Sequence, residues 1–319
     1  MPVLLGKAPG KIILFGEHAV VYGQPAIAIP VTKVYATAKI TPDFAGSPGQ
    51  IHLQARAIGL DADLADLEES HPHAQAVRLV LETFCPGHVP AFNLQIDSKI
   101  PVSAGMGSSA AVSVAIIKAV SAFLGTPLAP EGLSEMAYEV EKIHHGTPSG
   151  IDNNVIAHQQ PVFFTKDQPV RFLQIEKATH WVIADTGEKT PTRETVSAVR
   201  ALHAADAQHY EAIFGQIGAL TQKAEGALIK GDLTALGWLM NENQRLLAQL
   251  NVSSARLEVL IQAARAAGAV GAKLSGGGRG GNMIALAEEE KIPIIEEALI
   301  KAGAEHTITT KLQRGDSHG

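Results

Sequence analysis

The spacing of apolar residues changes character partway along the chain. In the first half, short runs with strand character dominate. Ile51 to Ala55 and Phe92 to Ile96 alternate apolar and polar residues, the pattern of half-buried strands. Leu4 to Leu14 is an apolar run broken by Gly6 and Gly10, and it carries Lys11. Ala26 to Ile40 reads as two β-rich runs on either side of Pro30. Helical spacing appears over Ala74 to Phe84, where Val77, Val80 and Leu81 fall on one face, over Ser109 to Leu124, and over Leu133 to Val140.

The second half is helix-rich. Ile213, Ile217 and Leu220 recur at helical spacing within Ser197 to Ala267, as do Leu236, Leu239 and Met240. A further helix begins within Asn251 to Glu258, with Ser253 or Ser254 as its N-cap. Ala269 to Leu274 and Met283 to Leu286 read as strand, turn, strand. A helix over Glu288 to Lys301 stops near Gly303, a last strand covers His306 to Lys311, and the tail from Gln313 is polar. The pattern predicts an α+β protein of two domains, 1–175 and 176–319, with the change falling between Lys166 and Ala178.

Composition narrows the function. The 319 residues are 46% hydrophobic and 18% charged, which excludes a disordered chain. The formal charge of −6 argues against nucleic acid as a partner, since phosphate backbones need a basic face. Cys85 is the single cysteine, so no internal disulfide forms and a reducing, cytoplasmic setting is expected. The N-terminus lacks the basic and apolar regions of a signal peptide. Ala110 to Leu124 contains Lys118 and is shorter than the ~20 residues that span a bilayer, so no membrane association is expected.

The 30 glycines cluster in places that suggest chemistry. Pro101 to Ala111, Pro-Val-Ser-Ala-Gly-Met-Gly-Ser-Ser-Ala-Ala, precedes a long helix. Glycines there let backbone N–H groups approach an anion, and the helix start adds unpaired donors. Two serine hydroxyls can meet phosphate oxygens or Mg²⁺. No Walker A pattern occurs, and Gly105-x-Gly107-x-x-Ala110 is a poor dinucleotide fingerprint, because Asp97 to Ala104 separates it from its strand. Lys11 lies among apolar residues and so should face a carboxylate or phosphate. Gly16-Glu17-His18 follows its strand, with Glu17 and His18 open to structural or functional roles. Glu141 and Asp152 flank a Gly/Pro loop in settings different enough to divide metal binding from proton chemistry. His144 and His145 raise a transition-metal possibility, although adjacent residues rarely ligate one ion from a regular element. Gly276 to Gly281 is all glycine except Arg279, a tight turn or a loop that closes over phosphate.

Taken together, these segments resemble the GHMP kinase superfamily, and the match runs in order over nearly the whole chain. Within it, Gly16-Glu17-His18-Ala19-Val20-Val21-Tyr22-Gly23, His145 to Asn153, and Asp185-Thr186-Gly187 followed by Thr192 and Arg193 are similar to the mevalonate kinase family. The last glycine loop departs from its relatives at Arg279 and Asn282.

The resemblance implies a two-domain fold with the active site in the cleft between domains, and transfer of phosphate from ATP to the 5-hydroxyl of mevalonate. It implies that Pro101, Gly105, Met106, Gly107, Ser108, Ser109, Ala110, Gly277 and Gly278 bind the nucleotide. Ser108, preferred over Ser109, and Glu141 would ligate Mg²⁺, a hard ion suited to oxygen donors. Asp152 would be the general base, with Lys11 beside it stabilising the incipient alkoxide. His18, protonated or donating, would bind substrate together with Glu17 and Thr192. A homodimer follows by the same analogy.

Two other enzymes share the pattern: a kinase of phosphorylated mevalonate, for which Lys189, Arg193 and Arg279 could hold the extra phosphate, and one acting at the 3-hydroxyl. A non-catalytic ATP or metabolite sensor should have lost one of Lys11, Ser108, Glu141 and Asp152, and all four are present.

Overall fold

The computed structural model describes residues 4–85, 87, 89–101, 105–145 and 148–314, without the side chains of His144 and His145. Its strands are β1 (Leu4–Phe15), β2 (Ala26–Pro42), β3 (Ile51–Ala55), β4 (Leu60–Asp63), β5 (Phe92–Ser98), β6 (Val162–Phe164), β7 (Arg171–Phe172), β8 (Thr179–Asp185), β9 (Gly271–Ser275), β10 (Asn282–Ala287) and β11 (His306–Leu312). Its helices are α1 (Pro72–Phe84), α2 (Ser108–Phe123), α3 (Pro130–His145), α4 (Ile151–His158), α5 (Thr192–Ala205), α6 (Ala207–Lys230), α7 (Leu233–Gln249), α8 (Ala255–Ala266) and α9 (Ile292–Lys301).

By packing, the chain sorts into two compact units that interleave in sequence. One holds Met1–Lys11, Val34–Pro101 and Gly107–Gln159; the other holds Ile12–Lys33, Val102–Met106 and Gln160–Gly319. The continuous strands β1 and β2 each contribute to both.

In the first unit, β5 pairs antiparallel with β2 over Ala36 to Pro42 and parallel with β3, and β3 forms a hairpin with β4. Helices α1 to α4 pack on one another, and α2 contacts β5. Most of α2 is buried, from Ala110 through Ile117 and again at Ala119 to Ser121. Gly6 makes its approach to β1 possible, since a Cβ there would run into the Ala115 carbonyl oxygen. The sequence reading omits β4, whose residues Leu60-Asp61-Ala62-Asp63 carry little strand propensity. It forms because β3 offers a free edge, and His52 on β3 bonds Asp63 at 2.7 Å and Asp61 at 2.6 Å.

In the second unit, the first part of β2 pairs with β6, and β6 with β7. A separate antiparallel sheet has the order β11-β8-β10-β9. Helices α7 and α8 cover β9, and α9 packs on β8 and β11. Ser254 is the cap of α8, its side chain accepting from the Leu257 N–H.

Pro30 does not divide β2 as the sequence suggests. Pairing with β6 ends at Ala28 and pairing with β5 begins at Ala36, so the proline falls in a stretch that neither of these two strands pairs, while β1 is a third neighbour of β2. Among the described residues, no helix is long and apolar enough to cross a membrane.

Candidate active site

Three of the chemically suggestive segments meet in the first unit. Lys11, near the middle of β1, is buried, and its Nζ lies 3.0 Å from Asp152 Oδ1. Asp152 sits in the first turn of α4, where a carboxylate is favoured by the helix dipole. That turn is pinned from the other side: Asn153 Nδ2 donates to the backbone oxygen of Ser134 at 3.1 Å and to its Oγ at 2.9 Å. Gly107, the residue before α2, completes the group. A Cβ on it would lie 2.9 Å from Lys11 Cγ, 2.9 Å from Ile156 Cδ1 and 3.3 Å from Asp152 Oδ2, and its φ of +69° is left-handed. The glycine is thus required both by its conformation and by the approach of the pair.

In the first turn of α2 lies a second oxygen cluster. Ser109 Oγ donates to Glu141 Oε1 at 2.6 Å, and Glu141 is buried on α3. The hydroxyl that meets Glu141 is that of Ser109, next to the Ser108 that the resemblance suggests as Mg²⁺ ligand. Of the rest of this segment, Met106 and Ala110 are buried, Gly105 is exposed with φ +67°, and Pro101 is half-buried. Gly146 and Thr147 lie outside the described residues, as do the side chains of His144 and His145 on which the transition-metal possibility rested.

The second unit holds the other predicted residues. His18 follows β1 with φ +60°, and its ring Nε2 lies 2.9 Å from the Gly277 carbonyl oxygen. Burial is the main influence on its pKa and pushes it below 6.5; the Gly277 bond and the Glu17 charge oppose the shift. A carbonyl only accepts, so Nε2 carries the proton and Nδ1 is left as an acceptor in the neutral ring. Of the protonated or donating His18 expected from the sequence, the donating nitrogen Nε2 is engaged by the glycine loop.

Glu17 also departs from its expected role. It is 1% exposed; Lys273 Nζ bonds its Oε1 and Asn243 Nδ2 donates to its Oε2 at 3.1 Å. Both oxygens are engaged inside the protein, which removes it from contact with a diffusing ligand. Thr192 opens α5 and is exposed. It lines a small cavity with Gly105, Thr190, Ser275, Gly277 and Gly278.

The glycine loop after β9 is held from below. Arg279 N–H donates to the Val252 carbonyl at 2.6 Å, and Arg279 Nε to the Asn251 carbonyl at 3.1 Å, so this arginine anchors the loop. A Cβ on Gly278, at φ +76°, would run into the Val252 oxygen. Gly278→Ala is expected to destabilise by about 1–3 kcal/mol, read as a lower midpoint of urea unfolding, because the obstacle is backbone and cannot swing aside.

Acid should loosen the same region. The unfolded chain has His18 at its ordinary 6.5 and the folded chain holds it lower, so between these values the unfolded state binds the extra proton. The stability contributed by neutral His18 is complete above about pH 6.5 and declines as pH falls through that window. Urea unfolding of wild type and His18→Asn across this range checks it: the acid-side loss should be smaller in the variant.

Asn241, Asn243 and Gln244 on α7 escaped the sequence reading. Asn241 Oδ1 accepts from the Ala272 N–H at 3.2 Å and Gln244 Oε1 from the Leu274 N–H at 2.8 Å, which satisfies the outer edge of β9. The one available signal was the polar run Asn241-Glu242-Asn243-Gln244 inside an amphipathic helix.

The family model described as GHMP kinases N terminal domain matches residues 73–159, and the one described as GHMP kinases C terminal matches 224–305. The chain is 35% identical to a mevalonate kinase of Thermococcus sibiricus over 98% of this chain and 96% of the relative. It is 38% identical to that of Pyrococcus horikoshii over 89% and 88%. Among solved structures, the mevalonate kinase of L. major in complex with R-mevalonate superposes with a TM-score of 0.82 at 29% identity, covering 99% of this chain and 97% of the other.

Proposed function

The chain belongs to the mevalonate kinase family of the GHMP kinases, and on that premise we propose that it transfers the γ-phosphoryl group of ATP to the 5-hydroxyl of mevalonate, giving 5-phosphomevalonate. The observation that carries the reading is the 3.0 Å pair of Lys11 and Asp152 against Gly107 at the head of α2. Asp152 is the base that accepts the hydroxyl proton as the oxygen attacks phosphorus. Lys11 balances the negative charge that develops there. Phosphoryl transfer depends mainly on positioning and charge neutralisation, and a buried ammonium beside a helix start supplies both.

The backbone N–H groups at the start of α2 and the loop at Gly277 and Gly278 are assigned to the phosphates of ATP. Ser109 and Glu141 are a hydroxyl and a carboxylate 2.6 Å apart, a donor set that fits Mg²⁺. They would hold the ion, which neutralises charge on the phosphates when bound. His18 offers Nδ1 as an acceptor for a substrate hydroxyl, and Thr192 offers a hydroxyl. Glu17 is reassigned from substrate contact to support. A homodimer and a cytoplasmic location belong to the same proposal, the second supported by the lone Cys85.

The test is ADP release with Mg²⁺ and ATP against mevalonate, 5-phosphomevalonate, galactose, homoserine and no acceptor, with the product identified by NMR. Turnover with mevalonate to the 5-phosphate is expected. Turnover with only a phosphorylated acceptor would move the assignment to a phosphomevalonate kinase.

A further inference from the structure

The end of β1 with the Gly16-Glu17-His18 turn that follows it is joined to the β9 glycine segment by three side-chain links, one to the strand and two to the turn. Ser275 Oγ donates to the Ile13 carbonyl oxygen at 2.7 Å. Lys273 pairs with Glu17, and His18 Nε2 donates to the Gly277 oxygen at 2.9 Å. The central link is the unusual one. The side chains of Lys273 and Glu17 are both wholly buried, and Lys273 also donates to the Leu274 carbonyl at 2.6 Å.

A buried ion pair is a poor way to gain stability, since desolvation of two charges offsets their attraction and an apolar pair would serve as well. Burial indeed pulls the Lys273 ammonium below its ordinary pKa, against the pull of Glu17. A second cost sits alongside. Because a carboxylate only accepts, Asn243 must turn its amide NH₂ to Glu17, and its Oδ1 is left buried with no hydrogen-bond partner among the described residues. What the arrangement secures is geometry. Glu17 is adjacent to His18, whose φ of +60° is uncommon for a residue with a side chain. Lys273 lies in the strand that leads directly into the glycine loop.

We propose that Glu17 and Lys273 are positioning residues that hold the His18 ring on the Gly277 carbonyl and so fix His18 and the loop as one rigid substrate-side element. The inference rests on the mevalonate kinase reading for its kinetic consequence, but not for its structural one. Neither residue touches substrate; each acts through His18 and the loop backbone.

The test uses Glu17→Gln, Lys273→Met and the double variant, in the full chain with labelled histidine. The tautomer of His18 is read from long-range ¹H–¹⁵N spectra, with its signal assigned by its loss in His18→Asn. Wild type should show the Nε2–H tautomer alone. Each single variant should show a mixture, with kcat/KM for mevalonate lowered about 10- to 100-fold per folded molecule. Should a single variant fail to fold, the double variant, which leaves no unpaired charge, is read in its place with the same expectation.

A pair that serves stability alone would lower the unfolding midpoint while leaving the tautomer and kcat/KM of the folded protein at wild-type values, and that result would overturn the proposal. If the wild type fails to phosphorylate mevalonate, the functional reading fails, and the tautomer of the variants still decides the positioning role.

Discussion

Asp152→Asn is expected to fold and to bind both substrates while losing about 100- to 10,000-fold in kcat, the usual worth of a general base. The substitution keeps the shape of the side chain at the start of α4 and leaves the Asn153 anchor to Ser134 intact. It removes the proton acceptor and the partner of the buried Lys11. Circular dichroism and binding of an ATP analogue should match wild type, and steady-state kinetics should not. Some loss of thermal stability accompanies it, because a buried ammonium is left without its counter-charge; Asp152 is one-third exposed, so water moderates that loss. Near-normal turnover would remove Asp152 as the base and leave it as the partner that orients Lys11.

Glu141→Ala is expected to reduce kcat/KM for Mg²⁺-ATP by about 100-fold, the scale for deleting one preorganised charge at a phosphoryl centre. Affinity for mevalonate should change far less. The variant leaves Ser109 without its acceptor at the head of α2. A titration of activity with Mg²⁺ at fixed ATP separates the roles: a metal ligand shifts the midpoint to higher Mg²⁺, while a purely structural glutamate lowers the unfolding midpoint and weakens both substrates alike. Ser108→Ala and Ser109→Ala provide the internal comparison, with the larger shift expected at Ser109.

Much of the candidate site was legible in the order of residues alone. Lys11 in an apolar run had to find a carboxylate or phosphate, and it found Asp152. Gly107 and Gly278 were marked by their motifs, and both sit at left-handed φ where a Cβ would collide. The choice between Ser108 and Ser109 was not legible. Adjacent residues at a helix start point about 100° apart, so which hydroxyl meets Glu141 depends on how α2 is rotated against α3. His18 illustrates the same limit for charge. Its residue type allows either protonation state, and it is burial in the folded chain that pushes its pKa down.

By itself the sequence determined the elements with a strong period and the residues whose chemistry leaves few alternatives. The alternating runs became β3 and β5, the glycine before α2 took a left-handed φ, and Lys11 found a carboxylate partner in Asp152. Such features are local, because hydrophobic period, backbone freedom and charge are set by a few neighbouring residues. Tertiary structure decided the rest: the unbroken course of β2 through Pro30, the formation of β4, the edge contacts from α7 to β9, and the pairing of Glu17 with Lys273, 256 positions away. These depend on partners remote in the chain. A strand of low propensity forms when an edge is offered, and a charge is buried when its opposite is carried to it by the fold.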